Sequence, residues 1–85
     1  MQDILKKGKV KNMKAIMVKD DYLDITLGFP YEVDRIYADG HIRLKNSPRI
    51  YQASSFRIYH NGKKISCKEA YRLQQIEAVK KRLGL

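Results

Sequence analysis

Tyr31-Glu32-Val33-Asp34-Arg35-Ile36-Tyr37, then Ala38-Asp39-Gly40, then His41-Ile42-Arg43-Leu44-Lys45 is the run whose reading decides the fold. Tyr31, Val33 and Tyr37 fall on one face at a period of two, the spacing of a half-buried strand. Asp-Gly between two such runs is the strongest short hairpin signal. On the returning strand Ile42 and Leu44 point inward. Asn46-Ser47-Pro48 makes the next turn, before Arg49-Ile50-Tyr51, and the three runs form a meander.

Upstream, residues 10–19 mix Val10, Met13, Ala15, Ile16, Met17 and Val18 with lysines and read as a first strand that Asp20-Asp21 ends. Leu23 to Pro30 contains Gly28 and Pro30 and reads as a loop or a single helical turn. Downstream, Ala53-Ser54-Ser55 suits one 3₁₀ turn, Phe56-Arg57-Ile58-Tyr59 alternates as the last strand, and Asn61-Gly62 closes it. Ser66-Cys67-Lys68-Glu69 matches a reciprocal capping box, so a helix starts at Cys67. Leu73, Ile76, Val79 and Leu83 recur every three or four residues as one apolar stripe, narrow enough to be consumed by packing on the barrel. Gly84 supplies the stop, and Lys80, Lys81 and Arg82 sit against the negative helix end. The expected fold is mainly β with a C-terminal α-helix. Five short strands over about residues 10–60 make a small, strongly bent barrel, and a helix follows over about 67–83.

A chain of 85 residues suits a single domain, here 1–85, with one core and little room for an internal substrate cavity. Lys plus Arg number 18 against 9 Asp plus Glu, a net charge of +9. The charge is uneven. Residues 1–19 and 43–85 are basic, and the stretch from Asp20 to Asp39 between them is acidic. After Gly40 only Glu69 and Glu77 oppose eleven bases, so most bases there are expected to lack an internal partner. Unpaired bases release counterions on meeting phosphate, which makes a polyanion the expected partner. The lone Cys67 allows no internal disulfide and no cysteine-based zinc cluster, which fits a reducing, cytoplasmic setting. No apolar run reaches the roughly 20 residues that span a bilayer, and the first ten residues are too polar for a signal peptide.

Ile25-Thr26-Leu27-Gly28, Tyr31-Glu32-Val33, Asp39-Gly40 and Tyr51-Gln52-Ala53-Ser54-Ser55-Phe56 form an ordered series over about residues 13–59. The series resembles the small SH3-like barrel proteins of tailed phages and their hosts, with a hydrophobic-Thr-x-Gly loop, a Tyr-x-Val strand, an Asp-Gly hairpin and a Tyr-x-Ala-x-x-Phe ending. The basic helix lies outside that pattern, and Phe29-Pro30 stands where the family often has Lys and a polar residue. The resemblance implies a five-stranded SH3-like barrel, akin to Sm, KOW and Tudor modules. Such barrels dock RNA, DNA or protein and seldom catalyse.

An enzyme is not expected: His41 and His60 are the only histidines, and no nucleophile elbow, zincin or phosphate-loop motif occurs. No cofactor or metal is called for. Cys67 reads as a packing residue, and Asp20, Asp21 and Asp24 lack the spacing of a calcium loop. Those three carboxylates and Tyr37 are instead candidates for protein contact. Candidates for nucleic-acid contact are Lys6, Lys7, Lys9 and Lys11 near the start, Arg43, Lys45, Arg49 and Arg57 on the later strands, and Lys63, Lys64, Lys68, Arg72, Lys80, Lys81 and Arg82 around the helix. Tyr37, next to the Asp-Gly turn, and Tyr59, next to Arg57 and His60, are the stacking candidates, whereas Tyr31, Tyr51 and Phe56 read as core. RNA comes ahead of DNA as partner, and a membrane surface is not expected because the helix stripe lacks Trp and Phe. The expectation is a small basic RNA-binding protein, phage-encoded as the resemblance implies, that acts without catalysis and inhibits a host RNA-associated protein such as an endoribonuclease toxin. A host-protein binder without nucleic acid, or a ribosome or transcription accessory module, is the alternative.

Overall fold

The computed structural model describes residues 12–84. Lys6, Lys7, Lys9 and Lys11, and the beginning of the expected first strand, lie outside the described residues. Among the described residues six strands precede one helix: β1 Met13–Met17, β2 Pro30–Ile36, β3 His41–Leu44, β4 Ile50–Gln52, β5 Phe56–His60, β6 Lys63–Ile65 and α1 Cys67–Leu83. All pairings are antiparallel, in the order β4-β3-β2-β1-β5-β6. The fold is mainly β with a C-terminal helix, as the alternation and the cap predict.

Two features differ from the expected five-stranded barrel. The sheet is open, because β4 and β6 stand at opposite ends of the order and do not pair. The sixth strand arises at Asn61-Gly62, which turns the chain instead of ending it. Both residues have positive φ, 55° and 81°, as a two-residue primed turn requires, and Lys63–Ile65 folds back along β5.

β2 explains the bend. Its first half pairs with β1 (Lys14↔Glu32, Ile16↔Pro30) and its second half with β3 (Val33↔Leu44, Ile36↔Ile42), with a register shift between Val33 and Arg35. A bulge kinks and twists a strand, so one strand serves two sheet halves turned against each other. The bulge also resets the alternation. Val33 and Ile36 are buried, and Tyr37, expected to share a face with Val33, is only half-buried. The Asp-Gly hairpin forms with the Gly40 N–H donating to the Tyr37 carbonyl at 3.2 Å and positive φ at Gly40 alone, a turn followed by one left-handed residue.

The inner face collects Met13, Ala15 and Met17 of β1, Val33, Ile36, Ile42, Leu44, Tyr51, Phe56 and Ile58, closed by Ile25 and Ala53. Tyr51 and Phe56 are core residues as read from sequence, and Tyr31 packs against the core while half-buried. The 3₁₀ turn Ala53–Ser55 carries the chain from β4 to β5. Ala53 N–H donates to the Gly40 carbonyl, and the Ser55 carbonyl accepts from Val18 and Lys19.

Helix α1 begins where Ser66 caps it, the Glu69 N–H donating to Ser66 Oγ at 3.0 Å, and it ends at Gly84 in the left-handed conformation. The return bond of the expected capping box, from Ser66 N–H to the Glu69 carboxylate, is not formed among the described residues. The expected packing stripe is corrected more fully. Ala70 and Gln74 are buried, with Cys67, Tyr71 and Leu73 packed alongside, whereas Ile76, Val79 and Leu83 are 43%, 47% and 66% exposed. Gln74 decides this orientation. Its Oε1 accepts from Ile36 N–H and its Nε2 donates to the Ile36 carbonyl, both at 2.8 Å. Because β1 pairs only with residues 30–32 of β2, the far half of β2 has no strand neighbour on that side among the described residues, and the Gln74 amide completes it as a neighbouring peptide would.

Candidate nucleic-acid interface

β1 and β5 alternate, so the residues flanking the buried Ala15 and Ile58 stand on the outer face, and β6 extends that face by pairing with β5. Register places Lys14 opposite Tyr59 and Tyr59 opposite Lys64, while Arg57, two residues before Tyr59, lies opposite Ile16. Directly opposed side chains have Cβ atoms about 4.5–5.5 Å apart. The half-buried Tyr59 therefore stands between two lysines on the neighbouring strands, with Arg57 two residues along its own strand. Among the described residues Arg57 and Lys64 have no carboxylate partner; Glu32 lies opposite Lys14 on the other side but pairs with Lys45. A ring to stack on and cations spaced along one sheet face are what a single strand needs: a base for the aromatic, phosphates for the cations.

A second basic point lies past the bulge, where Arg35 and Arg43 are in direct register. Like charges directly opposed are unfavourable in a sheet, and neither has a carboxylate partner among the described residues, so an anion there would relieve the repulsion. Arg43 also lines an open groove with Asp34, Lys45 and the Asn46-Ser47-Pro48 turn.

Other predicted bases are occupied. Lys45 pairs with Glu32 at 3.4 Å, Lys80 with Glu77 at 3.9 Å, and Arg49 with Asp24 at 3.3 Å while lying 5.6 Å from the Tyr51 ring centre. These are exposed, solvent-screened pairs, which a phosphate can displace. Lys63 stands opposite His60 on β6, and Lys68, Arg72 and Arg82 are exposed on the helix. Lys81 is engaged within the chain.

Two of the acidic candidates for protein contact have internal roles. Asp21 accepts from the buried Ser55 hydroxyl, tying the loop after β1 to the 3₁₀ turn. Asp24 accepts from the Tyr51 hydroxyl at 2.6 Å, and Ser47 stands 3.1 Å behind that hydroxyl. Asp20 is exposed and Tyr37 half-buried. The Tyr51 bond, followed by the backbone and Arg49, holds the Asp24 carboxyl below the ordinary range despite its partial desolvation. Burial, then Asp24, holds the Tyr51 hydroxyl above its own range, so it remains a donor. A depressed carboxyl contributes stability that is present above about pH 4 and lost as pH falls through the lowered value. Asp24→Asn is therefore expected to shift the urea midpoint down at pH 7 and to flatten its fall toward pH 2. An unchanged acid limb would assign that fall to other carboxylates.

His41 Nδ1 approaches Asp39 at 3.0 Å without the alignment of a hydrogen bond, and this contact holds the Asp39 carboxyl below the ordinary range. Burial pushes the Cys67 thiol up, the opposite of an activated nucleophile, and it packs against the core. No group of three or more metal-ligating side chains assembles, and no helix is long and apolar enough to cross a membrane, among the described residues.

Sequence reading singled out Arg57, Tyr59 and Lys64 but not Lys14 or Arg35 as part of a site. Alternation with Met13 and Ala15 already places Lys14 on an outer face. The Arg35 position depends on the bulge, which no local signal announces. Comparison with family models, curated proteins and solved structures gives no match.

Proposed function

We propose that this chain is a non-catalytic RNA-binding protein that holds a single strand across the outer face of β1, β5 and β6. The observation that carries the reading is Tyr59 set in register between Lys14 and Lys64, with Arg57 beside it. The bent sheet, turned at β2, suits an opened relative of the SH3-like barrel, and the role in that setting is to occupy a host RNA-associated protein or its RNA. Phosphate contacts position without specifying, so binding tolerates many sequences.

Fluorescence anisotropy with a labelled single-stranded oligouridine tests it at about 50 and about 200 mM salt. Tyr59→Ala is expected to weaken binding by about 5- to 150-fold, the loss of one stacked base at about 1–3 kcal/mol, while Tyr59→Phe keeps most of it. No binding at the lower salt, or equal affinity in Tyr59→Ala, would overturn the assignment.

A further inference from the structure

Ile76, Val79 and Leu83 face solvent although they are the most apolar positions of the second half of α1. At 100° per residue they lie about 140° to 200° around the helix from Gln74, the residue that pins α1 to β2, so the helix carries its stripe opposite its docking face. In heptad notation Gln74 is an f position. Ile76 and Leu83 are then a, Val79 is d, and the flanking e and g positions hold Lys80 and Arg82. The order is that of a coiled-coil seam facing outward, with basic edges.

We propose that this face of α1 docks a single amphipathic helix of another protein, one with an aliphatic a/d seam and acidic e and g positions. Charge complementarity selects that occupant. Two copies of α1 packed antiparallel would set Lys80 against Lys80 and Arg82 against Arg82, whereas carboxylates at the partner's edges satisfy both. Among the described residues Arg82 has no carboxylate partner and Lys80 has only the 3.9 Å contact to Glu77. Three aliphatic side chains over two turns are too narrow for a lipid-surface helix, which needs a broad face with aromatic anchors, yet they match knobs in one partner helix. The inference is independent of the RNA reading, since it uses neither Tyr59 nor the outer face of β1, β5 and β6.

The probes are two synthetic helical peptides with Leu at every a and d position, one with Glu and one with Lys at e and g. The full chain is expected to bind the Glu peptide and not the Lys peptide. The triple variant Ile76→Ser, Val79→Ser, Leu83→Ser is expected to lose at least tenfold in Glu-peptide affinity, with oligouridine affinity and Tm unchanged. The double variant Lys80→Glu, Arg82→Glu is expected to transfer binding to the Lys peptide. Several results would overturn the proposal. Equal binding of the Glu peptide by the triple variant reduces the contact to bulk charge. A lower Tm in the triple variant means the stripe is already covered within the chain. A dimer in sedimentation that the triple variant abolishes makes the occupant a second copy, and loss of oligouridine binding in that variant moves the stripe into the RNA site.

Discussion

Gln74→Ala is expected to destabilise the fold by about 2–4 kcal/mol and to lower Tm by about 10–20 °C, an effect out of proportion to a polar residue on a basic helix. The reason lies in what the side chain satisfies. Ile36 N–H and C=O are buried, point away from β3 and have no strand beside them among the described residues, so removing the amide strands a donor and an acceptor together. Each unmet group costs about 1–3 kcal/mol, and a domain of this size holds only about 4–13 kcal/mol in all. Thermal denaturation followed by circular dichroism reads the loss. A drop of no more than a few degrees would mean that water replaces the amide and that the apolar contacts of Ala70, Tyr71 and Leu73 dock the helix unaided.

Gln74→Glu separates the hydrogen bonds from the packing. Only a protonated carboxyl both accepts from Ile36 N–H and donates to its carbonyl; an ionised one sets an oxygen against that carbonyl. Its folded-state pKa is thus raised above the unfolded value of about 4.3. The sign is fixed: stability is retained below that value and lost as pH rises through the folded one. The variant is expected to be more stable near pH 4 relative to wild type than at pH 7, a trend opposite to that contributed by Asp24. A constant difference from wild type across that range would show that the two bonds to Ile36 do not hold the helix.

Elements written in local chemistry were legible from the sequence. Ser66 before an acidic residue at the third helical position, Gly84 after the last basic turn, and alternation in His41–Leu44 each put a boundary where it is found. Asn61-Gly62 was equally legible as a turn, but the strand after it, Lys63-Lys64-Ile65, offers one apolar residue and is held by pairing with β5 instead of by burial. Orientation was not legible. Hydrophobic spacing selects Ile76, Val79 and Leu83 as the buried stripe of α1, yet a free edge on β2 rewards an amide more, and the helix turns Gln74 inward. The candidate site divides likewise. Tyr59 and Arg57 can be found from alternation along one strand, whereas the framing of Tyr59 by Lys14 and Lys64 requires knowing that β1 lies beside β5, a contact across more than forty residues.

That non-local arrangement leads to the largest expected change in binding, from the triple variant Lys14→Glu, Arg57→Glu, Lys64→Glu. For a single strand each phosphate contact contributes about 0.7 to the log–log salt slope, so losing three lowers it by about 2. At about 0.1 M salt the same arithmetic removes about 100-fold in affinity, and three carboxylates facing phosphates take it further. Tm should move little, because all three side chains lie on the outer face, apart from a small cost where residue 14 stands opposite Glu32. The control changes net charge by the same amount elsewhere, with Lys19, Lys68 and Arg72 to Glu, the first in the loop after β1 and the other two exposed on the helix. If RNA were held only by the overall +9 of the chain, both variants would weaken alike. If a strand lies along β1, β5 and β6, the control is expected to lose no more than about tenfold, the equivalent of one or two contacts, and to keep most of its salt slope. Equal losses in the two variants would return the positive charge to a property of the whole molecule and remove Tyr59 from its centre.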